Sequence, residues 1–131
     1  MGEEDKLLIL GIQSVDSPAS FAKRQAARET FLSERQFEYR FIFDRETPTL
    51  LREQEKWGDC VFLGRKSSGW AVAFGEVELL WLKYCREHFP TYALYGKADD
   101  DTFICPKPFV QNLRQIATRR LFYGWWHWHQ W

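Results

Sequence analysis

The chain has 131 residues, of which 45% are apolar and 27% charged, and its 18 basic residues balance its 18 acidic ones. These values fit one folded domain and exclude an extensively disordered chain. A net charge of zero gives no electrostatic reason to expect nucleic-acid binding, and no run approaches the roughly 18 uncharged apolar residues that a membrane span needs.

Short apolar runs alternate with longer amphipathic stretches, which favours a βαβ layout with a mostly parallel sheet and therefore an α/β fold. The predicted strands cover about residues 7–12, 39–43, 60–63, 92–95 and 121–123. The predicted helices cover about residues 20–32, 48–57, 70–89 and 109–119. Ser17 and Pro18 supply a cap and a first helical position for the first helix, and Pro90 ends the third.

The three cysteines decide little about function. Cys60, Cys85 and Cys105 lack metal-ligand spacing, and an odd number excludes complete internal pairing. We expect them to be buried free thiols.

Three consecutive carboxylates, Asp99, Asp100 and Asp101, stand between two apolar runs. Hard cations such as Mg²⁺ or Mn²⁺ prefer carboxylate oxygens and leave positions open for substrate phosphate oxygens, so a bound cation would explain why these charges cluster. A solvated acidic turn is the alternative. Ligands of open α/β sheets collect at the carboxyl ends of the strands, where we expect both the triplet and Asp44 to lie.

Two arginines near the start of the first predicted helix form a second candidate site. Arg24 and Arg28 are four residues apart, so they share one face of a helix. Guanidinium groups placed there could bind a diphosphate or a uracil carbonyl. The other interpretation is that they are surface residues that pair with Glu29 or Glu34.

Several segments follow one another in a characteristic order. They are an apolar strand at 7–10, R-x-A-A-R-x-T-F at 24–31, E-K-W-G-D-C-V at 55–61, W-x-x-x-C at 81–85, K-A-D-D-D-T-F-I at 97–104, and Y-G followed by tryptophans from Tyr123. Together they resemble the beta-1,3-galactosyltransferase family of Golgi glycosyltransferases, which carries R-x-A-I-R-x-T-W, G-D-I and K-T-D-D-D-V-F-V in the same order. The resemblance covers residues 7–128.

The resemblance implies a GT-A-like (Rossmann-like) sandwich with a mostly parallel sheet. It also implies metal-dependent, inverting transfer of a hexose from a UDP-sugar to a hydroxyl of a glycan or glycoprotein acceptor. By the same resemblance, the residues expected to hold the nucleotide sugar are Arg24, Arg28, Lys97, Asp99 and Asp100, and those expected to hold Mn²⁺ (or Mg²⁺) are Asp99 and Asp101. The full-length protein is expected to carry a membrane anchor and to face the Golgi lumen, although this chain contains no targeting segment.

The chain departs from the family pattern in two places. Residues 62–74 lack the acidic pair that the family usually shows there and have no lysine at the corresponding helix position, although Lys66 is nearby. The family also continues beyond the position of Trp131, with the acceptor pocket and the carboxylate that acts as general base, so no catalytic residue is assigned. We therefore expect residues 1–131 to be one incomplete glycosyltransferase-like domain, either a fragment or a degenerate relative.

Two other functions stay open. A non-catalytic module that binds a nucleotide sugar would need no general base. A phosphatase of the haloacid dehalogenase type also places carboxylates after a buried strand, but its D-x-D-x-(T/V) pattern would need Thr102 one residue later. The aromatic segment 125–131 either stacks on sugars or belongs to the core of a longer protein.

Overall fold

A computed structural model describes residues 6–66, 70–116 and 123–124, with the side chains of 70–74 excepted. Its strands are β1 (Leu8–Gln13), β2 (Glu38–Phe43), β3 (Cys60–Phe62) and β4 (Leu94–Asp99). Its helices are α1 (Pro18–Glu29), α2 (Pro48–Trp57), α3 (Trp70–His88) and α4 (Pro106–Ile116), with a short 3₁₀ helix at Phe31–Glu34.

The four strands form one sheet in the order β3-β2-β1-β4, and all three strand pairs are parallel. The chain moves outward from β1 to β2 and β3, and then returns to place β4 on the other side of β1. The α/β prediction with a parallel sheet is therefore confirmed, and the arrangement is consistent with a Rossmann-like fold. In such sheets the strand order reverses at a switch point, here between β1 and β4, where ligands bind.

Local sequence explains where α1 and α2 begin. The side chain of Ser17 accepts a hydrogen bond from the backbone N–H of Ser20 at 3.1 Å, and Pro18 occupies the first turn. Thr47 caps α2 in the same way, accepting from the N–H of Leu50 at 3.2 Å. Each cap satisfies a backbone donor that the helix leaves unpaired. The predicted cap at Ser17 is confirmed.

Buried side chains cover both faces of the sheet. The core on the α1, α2 and α4 face includes Leu8, Leu10, Ile12, Phe41, Phe43, Leu50 and Leu113. The core on the α3 face includes Ile9, Ile42, Val61, Val77, Trp81 and Cys85. Gly11 makes room for the second core, because a Cβ there would lie 2.5 Å from the Trp81 ring.

The observed β4 differs from the prediction, which placed this strand at residues 92–95. The strand instead runs from Leu94 to Asp99, and Lys97, Ala98 and Asp99 pair with the last three residues of β1. Because main-chain hydrogen bonds to β1 support these residues, the pairing does not require apolar side chains. Asp99 therefore ends the strand and does not follow it.

Other predicted boundaries shift by a few residues. Helix α1 ends at Glu29 and the 3₁₀ helix follows, while α4 begins at Pro106. The predicted strand at 121–123 and the aromatic segment 125–131 lie outside the described residues, apart from Tyr123. Cys60 and Cys85 are buried free thiols as expected, and burial raises the pKa of each to about 12. The expectation was wrong for Cys105, which is exposed.

Candidate functional site

The acidic triplet lies at the switch point of the sheet. Asp99 ends β4, and Asp100 and Asp101 form the turn that follows. The backbone N–H of Asp100 donates to the carbonyl of Gln13, the last residue of β1, at 3.1 Å. The Ser14 hydroxyl donates to Asp100 Oδ2 at 2.7 Å. The two contacts attach the triplet to the carboxyl end of β1.

The three carboxylates of the triplet have different surroundings. Asp99 has a side chain that is 56% exposed, and its Oδ1 lies 3.2 Å from Lys97 Nζ. Asp100 is only 13% exposed, and its Oδ1 lies 3.7 Å from Lys23 Nζ. Asp101 is exposed and makes no hydrogen bond or ion pair with another described residue. Asp101 is thus the member of the triplet that is open to a ligand.

A cavity of about 230 Å³ opens beside Ser14. Its apolar lining includes Val15, Phe43 and Leu50, and its polar lining includes Ser14, Asp16, Asp44, Arg45, Thr47 and Arg65. Most of these residues lie at or just beyond the carboxyl ends of β1, β2 and β3. The cavity therefore occupies the edge of the sheet where α/β proteins bind ligands.

Two arginines of this cavity were missed by sequence reasoning. Arg65 Nε donates to Asp44 Oδ2 at 2.9 Å, and Arg45 Nε donates to the Arg65 carbonyl at 3.1 Å. Arg65 Nη1 is buried and has no hydrogen-bond partner among the described residues. The sequence could have indicated both as candidate site residues, because each follows the end of a predicted strand just as Asp44 does.

A second, wider groove of about 560 Å³ lies on the outer side of β4, where Trp81, Leu94, Phe109 and Tyr123 line it. Lys97 lines this groove and also lies 3.9 Å from Glu78 Oε1. The structure therefore places Lys97 on the α3 side of β4, with its Nζ close both to Glu78 of α3 and to Asp99 of the triplet.

Arg24 does not lie at the surface. Its side chain is 1% exposed and makes a bidentate pair with Glu53, with Nε to Oε1 at 2.8 Å and Nη2 to Oε2 at 2.7 Å. Its remaining terminal nitrogen, Nη1, donates to Ser14 Oγ at 2.7 Å and to the Val15 carbonyl at 2.9 Å.

Arg28 extends the same buried cluster. It donates twice to Asp59, at 2.9 and 2.8 Å, and once to Glu53 at 2.8 Å. The Tyr39 hydroxyl also donates to Asp59, at 2.7 Å. We call Arg24, Arg28, Glu53, Asp59 and Tyr39 the buried ion cluster.

The positions of the two arginines correct both sequence interpretations. Their guanidinium groups face protein carboxylates and not an open cavity, so they are not available to a diphosphate. Their partners are Glu53 and Asp59, and not Glu29 or Glu34. Helix α2 and the start of β3 bring these carboxylates against α1, which no spacing within residues 24–34 reveals.

The pKa values in the buried ion cluster follow from its hydrogen bonds. Burial alone would raise the pKa of the Glu53 and Asp59 carboxyls, but hydrogen bonds from Arg24 and Arg28 hold the pKa of Glu53 below its ordinary value, and those from Arg28 and Tyr39 do so for Asp59. Burial, and then the hydrogen bond to Asp59, raises the pKa of Tyr39. Glu53 and Asp59 therefore stay charged and Tyr39 stays neutral at neutral pH.

The carboxylate oxygens of the triplet suit a hard cation that takes only one or two ligands from the protein. Among the described residues no group of three or more histidines, cysteines and carboxylates is arranged to hold a metal ion. Asp101 offers a carboxylate that pairs with none of the residues that the structure describes, and Asp99 is exposed beside it. Mg²⁺ and Mn²⁺ often bind through one or two carboxylates and complete their coordination with water and phosphate oxygens.

No protein-family model matches the chain, and comparisons with curated proteins and with solved structures give no match. In the part of the chain that the structure describes, no helix is long and apolar enough to span a membrane.

Proposed function

We propose that the chain is the nucleotide-sugar-binding half of a GT-A-like hexosyltransferase that uses a UDP-sugar and Mn²⁺ or Mg²⁺. One observation carries this proposal. The contacts of Asp100 with Gln13 and Ser14 hold the acidic triplet at the switch point with Asp101 open to a ligand, and Ser14 also lines the 230 Å³ cavity. The ordered segments that resemble the beta-1,3-galactosyltransferase family support the same function.

Each part of the site has a separate role in this proposal. The 230 Å³ cavity takes the nucleoside, with Asp44 as a hydrogen-bond acceptor and with Phe43 and Leu50 as apolar contacts.

Asp101 and Asp99 hold the divalent cation, which neutralises charge on the diphosphate when it is bound. Asp100 and Lys97 lie next to the sugar-diphosphate. Arg65 and Arg45 replace the buried Arg24 and Arg28 as the cationic side chains at the cavity.

The family resemblance also sets the wider proposal. The transfer would invert the anomeric carbon of the hexose, and the acceptor would be a glycan or a glycoprotein in the Golgi lumen. Such a transfer needs a group that deprotonates the acceptor hydroxyl. We assign that role to none of the described residues.

Isothermal titration with UDP in the presence of Mn²⁺ tests the proposal. We expect UDP to bind only with the cation, and Asp101→Ala to weaken binding by at least about tenfold, because a metal ligand is lost. Glu87→Ala is the matched control, since it removes an exposed carboxylate from α3, away from the triplet. UDP binding of equal strength without Mn²⁺, or unchanged binding by Asp101→Ala, would contradict the metal site.

A non-catalytic nucleotide-sugar-binding module is the second candidate, and the lack of an assigned base among the described residues favours it. Incubation with UDP-galactose and UDP-glucose separates the two candidates, with an added glycan hydroxyl, or water in its absence, taking the hexose that leaves UDP. Release of UDP above the rate in an Asp101→Ala sample identifies an enzyme, whereas binding without release identifies a binding module.

A further inference from the structure

We propose that Ser14 and Arg24 are positioning residues, which hold the Asp100 carboxylate in a single orientation at the nucleotide-sugar site. This inference rests on the proposed function for its consequence in binding. Arg24 is buried and cannot reach a ligand itself. It acts on the site through two hydrogen bonds, from Arg24 to Ser14 and from Ser14 to Asp100.

A continuous path of hydrogen bonds joins α2 to the triplet. Glu53 fixes the Arg24 guanidinium with two contacts of 2.8 and 2.7 Å. Arg24 Nη1 donates to Ser14 Oγ at 2.7 Å, and Ser14 Oγ donates to Asp100 Oδ2 at 2.7 Å. The side chains of Arg24 and Glu53 are almost completely buried, so water does not compete for the contacts between these two residues.

The chemistry of the groups fixes the direction of each bond in this path. A guanidinium can only donate, and a carboxylate can only accept. Because the Ser14 hydroxyl accepts from Arg24, its single proton is left to point at Asp100. A hydroxyl without such a donor would be free to rotate, so Arg24 sets the orientation of the Ser14 proton.

The path matters for the whole triplet because Asp100 is its middle residue. With Oδ2 held by Ser14 and the backbone N–H held by Gln13, the Asp100 side chain and main chain are both fixed to the end of β1. Asp99 and Asp101 flank this fixed point. The main-chain position from which the Asp101 side chain extends therefore depends on Asp100.

Solution NMR tests the positioning without any ligand. In the wild-type chain we expect a slowly exchanging Ser14 hydroxyl proton and side-chain couplings of Asp100 that indicate one rotamer. In Ser14→Ala we expect Asp100 to average between rotamers while the melting temperature changes little. A single Asp100 rotamer in Ser14→Ala, or a rotamer-averaged Asp100 in the wild-type chain, would overturn the proposal.

Titration with UDP and Mn²⁺ tests the consequence for binding. We expect Ser14→Ala to bind about tenfold more weakly, the size of effect that loss of a hydrogen bond to a charged group gives. Ser14→Thr retains the hydroxyl and should restore most of the affinity. Ser33→Ala is the control, since its hydroxyl bonds to the Thr30 carbonyl beyond the other end of α1.

A double variant shows whether Ser14 acts through Asp100. Ser14→Ala combined with Asp100→Ala should bind no more weakly than Asp100→Ala alone. Additive losses, or wild-type affinity in Ser14→Ala, would overturn the role in binding. If the wild-type chain does not bind UDP with Mn²⁺, the proposed function fails and the NMR result alone decides whether Asp100 is positioned.

Discussion

Two groups of charged side chains, the buried ion cluster and the acidic triplet, lie within one short hydrogen-bond path of each other and differ in how their charge is balanced. In the buried ion cluster each carboxylate receives hydrogen bonds from guanidinium groups of α1. In the triplet, Asp101 has no partner among the described residues, and the exposed Asp99 pairs with the partly buried Lys97. The charges of the cluster are balanced inside the fold, whereas the triplet leaves the Asp101 carboxylate exposed to solvent.

The difference shows that residue type alone does not identify a binding residue. The arginines would suit a diphosphate, but their hydrogen-bond donors are used by Glu53, Asp59 and Ser14. A charge that the fold already neutralises contributes mainly to structure, whereas a charge left open at a ligand-binding edge is available for function. Ser14 joins the two groups, because it accepts from Arg24 and donates to Asp100.

The largest effect is expected from breaking the buried ion cluster. Arg28→Ala leaves the buried Asp59 carboxylate without a cation and removes one of the two cations that contact Glu53. We expect the free energy of unfolding to fall by about 3–5 kcal/mol. Urea denaturation measures this change. Arg52→Ala removes an exposed arginine from α2 as the matched control. A loss as small as that of the control would show that the cluster does not stabilise the fold.

The second largest effect is expected from acid, which should reduce the contribution of the buried ion cluster to the free energy of unfolding. The pKa values of Glu53 and Asp59 are lowered in the folded chain, so their contribution to stability is present above their ordinary pKa values and is lost as pH falls through the folded ones. We expect the free energy of unfolding to decrease below about pH 4, by up to about 1.4 kcal/mol per pH unit for each carboxylate.

Urea denaturation at pH 7, 4 and 3 measures this dependence. Asp59→Asn should flatten part of it, because the variant removes one of the two titrating groups. Equal stability of the wild-type chain at pH 7 and pH 3 would contradict the assignment of lowered pKa values to these carboxyls.

The smallest effect on stability is expected from the triplet. Asp101→Ala removes an exposed carboxylate without a described partner, so its free energy of unfolding should stay within about 0.5 kcal/mol of the wild type. Asp59→Ala, the same substitution in the buried ion cluster, should cost several times more. Equal costs at the two positions would remove the distinction between the two groups.

The sequence predicted a good part of the fold, for reasons that are local. Apolar runs located β1, β2 and β3, and Ser17-Pro18 and Thr47-Pro48 located the starts of α1 and α2. The boundaries of β4 were wrong, because its second half is polar and depends on pairing with β1. The position of the triplet at a strand end could be predicted, since the rule for strand ends needs only the order of the elements.

The sequence by itself determined which elements form and where the acidic triplet falls along the chain, because caps, turns and apolar runs act over a few residues. Only the tertiary structure decided that Arg24 and Arg28 are buried, since their partners Glu53 and Asp59 lie 29 and 31 residues away in the chain. It also decided that Ser14 meets Asp100 across 86 residues, because the return of the chain to β4 brings two distant strand ends together.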